Sequence, residues 1–278
     1  MRTKILRIAA TAVFSFLWVG SALAQQASAP ATTPLSWEQQ EAFLKKAKLR
    51  LVKGVSKGVT ATSRVTLTDG VITHDASVQT IDDYKQVFVP QGGKTELNFR
   101  DSYRYNVAAW KLARLIGLGG MVPPSVERGF EAKAGAFTWW IDNVLMDEGE
   151  RQKQNASSPN ALVWQQDVAL MKMLDQLIAN TDRNVGNMQI DKGWRLWLID
   201  HTRAFRQNKE LQNPAALTLI DRDVLAKLKQ LEEKSLSKEL KSYATGAEIK
   251  ALLARRDAIV KIFDAKGESA LFTMAPRN

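Results

Sequence analysis

The segment that most restricts this chain runs from Asn180 to His201. It opens with the polar loop Asn180-Thr181-Asp182-Arg183-Asn184-Val185-Gly186-Asn187. A turn at Asp191-Lys192-Gly193 follows, and then the apolar run Trp194-Arg195-Leu196-Trp197-Leu198-Ile199, which ends in Asp200-His201. The run is short, apolar and bounded by turn residues, which predicts a strand ending in an acid. Upstream, residues 162–178 predict a long helix with Val163, Leu170, Leu174 and Leu177 on its apolar face. Asp182, Asn187 and Asp200 are the side chains of this segment able to hold a divalent cation through oxygen. A carboxylate among them can also take a proton from a hydroxyl.

The spacing adds chemistry to the residue types. Asn187 lies five positions after Asp182, and Asp200 thirteen after Asn187. The first offset is that of a D-x-x-x-x-N catalytic loop. Phosphoryl transfer needs one carboxylate to orient the attacking hydroxyl and two oxygen ligands to hold magnesium on the phosphates. Singly, each of the three is what a capped loop or a strand end uses for backbone hydrogen bonds. In this order, on loop and strand, they point to a kinase-like site.

Composition narrows the alternatives. The 278 residues contain no cysteine, which excludes disulfides, zinc-thiolate sites and thiol nucleophiles. His74 and His201 are the only histidines, so a histidine-rich metal site or a serine-type triad is poorly supported. The apolar content of 45% is enough for a real core. The formal charge is +10; Arg2, Lys4 and Arg7 belong to an acid-free first segment, without which it is +7. A basic chain favours phosphate-bearing or acidic partners. Met1–Arg7 is basic, residues 8–19 are apolar, and Ala22-Leu23-Ala24 is a small-residue cleavage site. Residues 1–24 therefore read as a signal peptide, and residues 25–35, rich in Ala, Ser, Thr, Pro and Gln, as a disordered linker. The expected location is periplasmic or secreted, with no transmembrane segment after signal cleavage.

Ser36 is a candidate N-cap, with Gln39 three residues on, for an amphipathic helix to about Leu49. In Val52–Thr60, Gly54 and Gly58 with Lys53 and Lys57 form either an anion-binding glycine loop or a plain hairpin turn. Residues 63–68 predict a strand, Asp69-Gly70 a hairpin turn, Val71-Ile72-Thr73 the return strand and residues 76–81 a third strand. The loop Gln91-Gly92-Gly93-Lys94 is expected to lead to a helix over about 101–118, with Asp101-Ser102 as cap and Gly119-Gly120 as stop. An extended Val122–Arg128 segment and a strand over residues 136–144 follow. Helices are expected over 218–231 and 247–263, then a loose tail from Gly267. This predicts an α+β chain: a β-rich first lobe, residues 36–145, with one long helix, and a helical second lobe, residues 146–278, carrying the loop.

The order of glycine loop, strand, long helix, Pro-Pro segment, strand and D-x-x-x-x-N loop resembles the atypical kinase-like superfamily. The likeness is to secretory-pathway casein kinases, bacterial phosphatidylinositol 3-/4-kinase-like proteins and bacterial persistence-toxin kinases. Ala108-Ala109-x-x-Leu112-x-x-Leu115-Ile116, then Val122-Pro123-Pro124-x-Val126-x-Arg128, looks especially like the first two. So do Asn180-x-Asp182-Arg183 and Ile199-Asp200-His201 with Arg203-Ala204-Phe205. The resemblance implies a two-lobed protein-kinase-like fold, ATP or another nucleotide, and Mg2+ or Mn2+. It implies Asp182 as catalytic base, Asn187 and Asp200 as metal ligands, and Gly54–Gly58 over the phosphates. Residues 138–144, with Trp140 and Ile141 at the centre, would be the hinge for an adenine ring. Arg183 is expected to brace the loop, and His201 to fix a neighbouring loop or touch the metal site.

Two positions depart from that pattern. The phosphate-holding lysine aligns with Gln79 and its glutamate partner with Asn106. A matched amide pair can keep the contact while losing the charge. Lys85, Lys53 or Lys57 is a possible surrogate cation, and Glu96 a surrogate for Asn106. An exported kinase also needs a phosphoryl donor outside the cytoplasm. Two alternatives therefore stand beside the phosphotransferase: a pseudokinase scaffold or ligand sensor of the cell envelope, and a non-catalytic basic protein that binds anions. No nucleic-acid partner is expected; a protein, lipid or small molecule would be the acceptor.

Overall fold

The computed structural model describes residues 35–54, 62–89 and 95–274. The leader, almost all of the linker, Lys57 and Gly58 lie outside them. Ser36 caps α1 (Trp37–Lys46) through a complete capping box with Gln39, as its spacing predicts. Leu49, expected at the helix end, already belongs to β1 (Lys48–Gly54). β2 (Ser63–Thr68) and β3 (Thr73–Gln79) form the hairpin around Asp69-Gly70, and β3 is one strand rather than two.

The glycine-containing loop leads not to a helix but between two paired strands, β4 (Asp82–Phe88) and β5 (Glu96–Ser102). Asp101 and Ser102 end β5, and α2 (Arg104–Ile116) follows without a side-chain N-cap hydrogen bond from Tyr103. The helix stops at Gly117, not at Gly119-Gly120. Gly117 takes φ of 85°, the left-handed C-cap conformation that glycine adopts without steric cost.

β6 (Ser125–Phe130) and β7 (Lys133–Trp139) complete a five-stranded antiparallel sheet in the order β1-β2-β3-β7-β6. Its inner face, with Val65, Leu67, Ala76, Val78, Val126 and Phe137, packs on Phe43 and Leu44 of α1. Past a turn at Asp142-Asn143 comes β8 (Val144–Asp147), then α3 (Glu148–Lys153) and α4 (Ala161–Ile178). A short three-stranded sheet, β10-β9-β8, is completed by β9 (Met188–Asp191) and β10 (Leu196–Leu198). The remaining elements are β11 (Ile220–Asp221), α5 (Arg222–Lys229), α6 (Glu233–Leu240), α7 (Gly246–Lys266) and β12 (Leu271–Phe272). The start of the expected loose tail is held: β12 pairs with β11, and Asp221 Oδ2 accepts the Met274 N–H at 2.7 Å. Among the described residues no helix is long and apolar enough to cross a membrane.

The larger core joins α2 to the second half of the chain. Trp110, Leu112 and Ile116 pack in one cluster with Leu170, Leu174 and Leu177 of α4, Leu198 of β10, and Ile259 of α7. On its other side α2 meets α1, where Trp110 Nε1 and Arg114 Nη1 both donate to Glu41 Oε1. α2 is thus the rigid link between sheet and helices. A second anchor is Arg255 of α7, fully buried, whose Nε donates to the Leu177 carbonyl at 2.9 Å. Its Nη1 donates to the carbonyls of Arg206 and Asn208, fixing the chain that leaves the Asp200 strand. Burial pushes this guanidinium down to about 10, still charged at neutral pH. Arg255→Ala should therefore cost on the order of 3 kcal/mol, from a cavity plus unsatisfied carbonyls. Urea unfolding read by circular dichroism measures it.

Candidate active site

α4 ends on Ala179, held at φ of 46°, and the chain turns into the Asn180 loop. Buried Asn180 organises the turn: its Nδ2 donates to Asp175 Oδ1 at 3.0 Å, and its Oδ1 accepts the Asp182 N–H at 3.1 Å. Arg183 braces the loop as predicted, through a carboxylate and two carbonyls together. It meets both oxygens of Asp175, 3.0 Å at the closest, and donates through Nη1 to the carbonyls of Asn187 and Ile199, each at 2.9 Å. One planar guanidinium therefore ties α4, the loop and the end of the Asp200 strand together. Asn187 donates its amide nitrogen to the Asp182 carbonyl at 3.1 Å, so its amide oxygen is the atom left to act as a ligand.

Asp200 sits just beyond β10 at φ of 54°, a left-handed backbone that aspartate tolerates better than most residues. Its Oδ1 accepts from Gln79 Nε2 at 3.2 Å and Thr202 Oγ1 at 3.1 Å. Asn106 Nδ2 donates to Gln79 Oε1 at 2.6 Å, and Asn106 Oδ1 accepts the His201 N–H at 2.8 Å. The amide pair read from the sequence is present, buried, and extended at both ends to the Asp200 segment.

Asp182, Asn187, Asp200, Gln79, Asn106 and His201 all line one cleft of about 590 Å³, together with Trp140, Ile141 and Val122. Asp147 also lines it; sequence reasoning missed this residue, although Asp147-x-x-Glu150 is a capping-box spacing and Asp147 does cap α3. Asp175 was missed as well. Its signal is an acid on the helix one turn before the loop, buried where an uncharged residue is expected. Among the described residues no lysine or arginine lines the cleft. Lys53 is drawn away to Asp75 Oδ2 at 3.3 Å. Lys85 lies over the Phe88 ring, 5.0 Å from its centroid. Glu96 pairs with Arg203 and Arg206, so it does not replace Asn106, and both arginines are held there. Gly54 ends β1 opposite Ser63.

The hinge segment differs from expectation. β7 ends at Trp139, and the Trp140 N–H is donated to the Asp75 carbonyl at 3.2 Å, so that group is taken. The Trp140 ring forms one wall, backed by Arg64 at 4.1 Å from its centroid. Trp139 stacks on His74 with ring centroids 3.7 Å apart, a packing role.

Among the described residues no three His, Cys, Asp or Glu side chains cluster closely enough to hold a metal by themselves. The cleft instead offers two carboxylates and an amide oxygen, hard donors that suit Mg2+ or Mn2+ better than softer ions. His201 is fully buried, and burial with the nearby Arg183 charge holds its ring well below the usual range, hence neutral. Burial also raises Asp101, and the Asp200 charge adds to the shift.

A scan against protein-family models finds no match, and a search of curated proteins finds none. Solved structures do match. The structure of hydra Fam20 with sugar is 16% identical, covers 85% of this chain and 92% of its own, and superposes with a TM-score of 0.62. The crystal structure of the Helicobacter pylori proinflammatory kinase CtkA is 9% identical, with 79% and 94% covered and a TM-score of 0.46. The fold is that of the atypical kinase-like proteins, with a β-rich first half and a helical second half.

Asp101 provides a test of the cleft's electrostatics, since its buried Oδ1 has no hydrogen-bond partner. A carboxyl raised on folding costs stability once the pH rises through its folded value, and costs nothing below the unfolded value of about 3.9. Asp101→Asn should stabilise the protein by about 1 kcal/mol at pH 7. The gain in melting temperature should shrink as the pH falls toward 4.

Proposed function

We propose that the chain is an exported phosphotransferase of the atypical kinase type, acting on a metal-bound nucleotide and a hydroxyl acceptor. The observation that carries this reading is that Asp182, Asn187 and Asp200 line one cleft in a kinase-like fold. Asn187 Oδ1 and the Asp200 carboxylate would hold the metal, which supplies charge neutralisation at the phosphates. Asp182 would orient the acceptor and take the hydroxyl proton as its oxygen bonds to the terminal phosphorus and the bond to the bridging oxygen breaks. The Trp140 ring and Ile141 would flank the base. Residues 1–24 would direct export, which calls for a phosphoryl donor outside the cytoplasm.

The buried Asn106–Gln79 pair favours a second reading, a pseudokinase that binds a ligand without turnover. It joins the two elements that carry the charge pair in such kinases, and no cation from the described residues lines the cleft. The two readings part at turnover.

A nucleotide held at a hundredfold above its Kd should raise stability by about 2.7 kcal/mol, only with Mg2+ or Mn2+ present. Thermal shift reads this, and Asp200→Ala should abolish it. Asp182→Ala should keep the shift but cut phosphoryl transfer by roughly a hundredfold or more. Transfer that survives Asp200→Ala sinks the metal assignment; a nucleotide shift without any transfer from wild type selects the pseudokinase.

The amide pair gives its own test. Gln79→Lys with Asn106→Glu installs opposite charges at two positions already in contact. This double variant should tighten nucleotide binding roughly tenfold, the scale of one charge-assisted phosphate contact. Calorimetric titration reads it, and unchanged or weaker binding would mean that phosphates do not sit beside Gln79.

A further inference from the structure

A second, smaller cavity of about 90 Å³ lies apart from the cleft residues. Its walls come from β4, β5, the first turn of α2, the segment after Asp200 and the start of α7. Arg100 and Arg206 both line it, beside the hydroxyl-bearing Tyr84, Tyr105 and Thr245.

The donors here exceed the acceptors. Arg100 Nε, Arg206 Nε and Arg206 Nη1 are buried and have no hydrogen-bond partner, as is neighbouring Arg203 Nε. Three such guanidinium groups in one cluster need an explanation, because a buried N–H without a partner is costly. Glu248 also lines the cavity, but its oxygens are engaged: Oε1 accepts from Tyr105 Oη at 2.6 Å and Oε2 from the Thr245 N–H at 2.7 Å. Glu96 is shared between Arg203 and Arg206. Arg100, Arg203 and Arg206 thus face Glu96 and Glu248, three positive groups against two negative ones. Burial holds the Arg206 guanidinium below its ordinary range, a sign that its charge is under-compensated.

We propose that this cavity is a binding site for a small oxyanion of phosphate or sulfate type, held by Arg100 and Arg206 with Tyr84 at its mouth. The volume suits one such ion and little more. Planar guanidinium donors are the side chains that match tetrahedral oxyanions. A bound anion supplies the missing negative charge and the missing acceptors together. The site joins α2 to the chain leaving Asp200: Tyr105 neighbours Asn106 of the amide pair, and Arg206 is in the segment that carries Thr202. It does not depend on the reaction proposed for the cleft.

Titration of the full chain with sodium phosphate and sodium sulfate, at constant ionic strength against chloride, tests this. Calorimetry should show one saturable site, and the arginine Nε–Hε signals of Arg100 and Arg206 should shift in nitrogen-resolved NMR spectra. Arg100→Gln, at a partly exposed position, should weaken binding at least tenfold, whereas Asp200→Ala should leave it unchanged. Should Arg100→Gln fail to fold, the wild-type Nε–Hε shifts and Tyr84→Phe, at an exposed position and expected to weaken binding severalfold, decide the matter. The proposal is overturned by the absence of saturation, by binding indifferent to these substitutions, or by loss in Asp200→Ala, which would place the anion in the cleft.

Discussion

One guanidinium holds the candidate active site in shape. Arg183 grips the Asp175 carboxylate of α4 and reaches the carbonyls at the ends of two further segments, those of Asn187 and Ile199. Both members of the ion pair are nearly buried, at 9% and 11% side-chain exposure, so neither charge is relieved by water. Such a pair contributes little net stability compared with apolar packing, but loss of one partner leaves a buried charge and costs several kcal/mol. Its value is in geometry: Asp182, Asn187 and Asp200 keep their relative places because the same fork holds the backbone beside each.

The amide chain from Asn106 through Gln79 to Asp200 plays the matching part from the sheet side. It connects the end of β3, the first turn of α2 and the segment after β10 by three hydrogen bonds, counting the Asn106 bond to the His201 N–H. No formal charge is buried with it except that of Asp200. A lysine and a glutamate in the same places would bring two more charges into the cleft wall. The cleft is therefore acidic among its described residues, and a polyphosphate there depends on divalent cations for its counter-charge.

Periodicity made the helices legible. α1, α4 and α7 stand close to where their caps and apolar stripes predict, since these signals are local. The β4–β5 hairpin was missed because its strands lack a clean apolar face: β4 is exposed along nearly its whole length, so no alternation marks it. Asp101 and Ser102 resemble a helix cap in sequence yet finish a strand, whose pairing with Asp82 and Asp83 the local signal cannot contain. The held start of the tail depends on β11, more than fifty residues earlier. Lys53, Lys85 and Glu96 were sensible surrogates by residue type, and each is claimed by a partner that only the folded chain brings near.

By itself the sequence determined the chemical identity of the site: which three oxygen-bearing side chains it has, their order on loop and strand, and that amides replace a charged pair. Those facts rest on residue type and short spacing, which need no knowledge of the fold. Tertiary structure decided which groups meet. The Gln79–Asp200 contact spans 121 positions, and the Asn106–His201 contact 95, distances over which no periodicity or cap signal operates. Contacts of that reach are set by the packing of α2 between sheet and helices, where burial selects partners that the linear order leaves open.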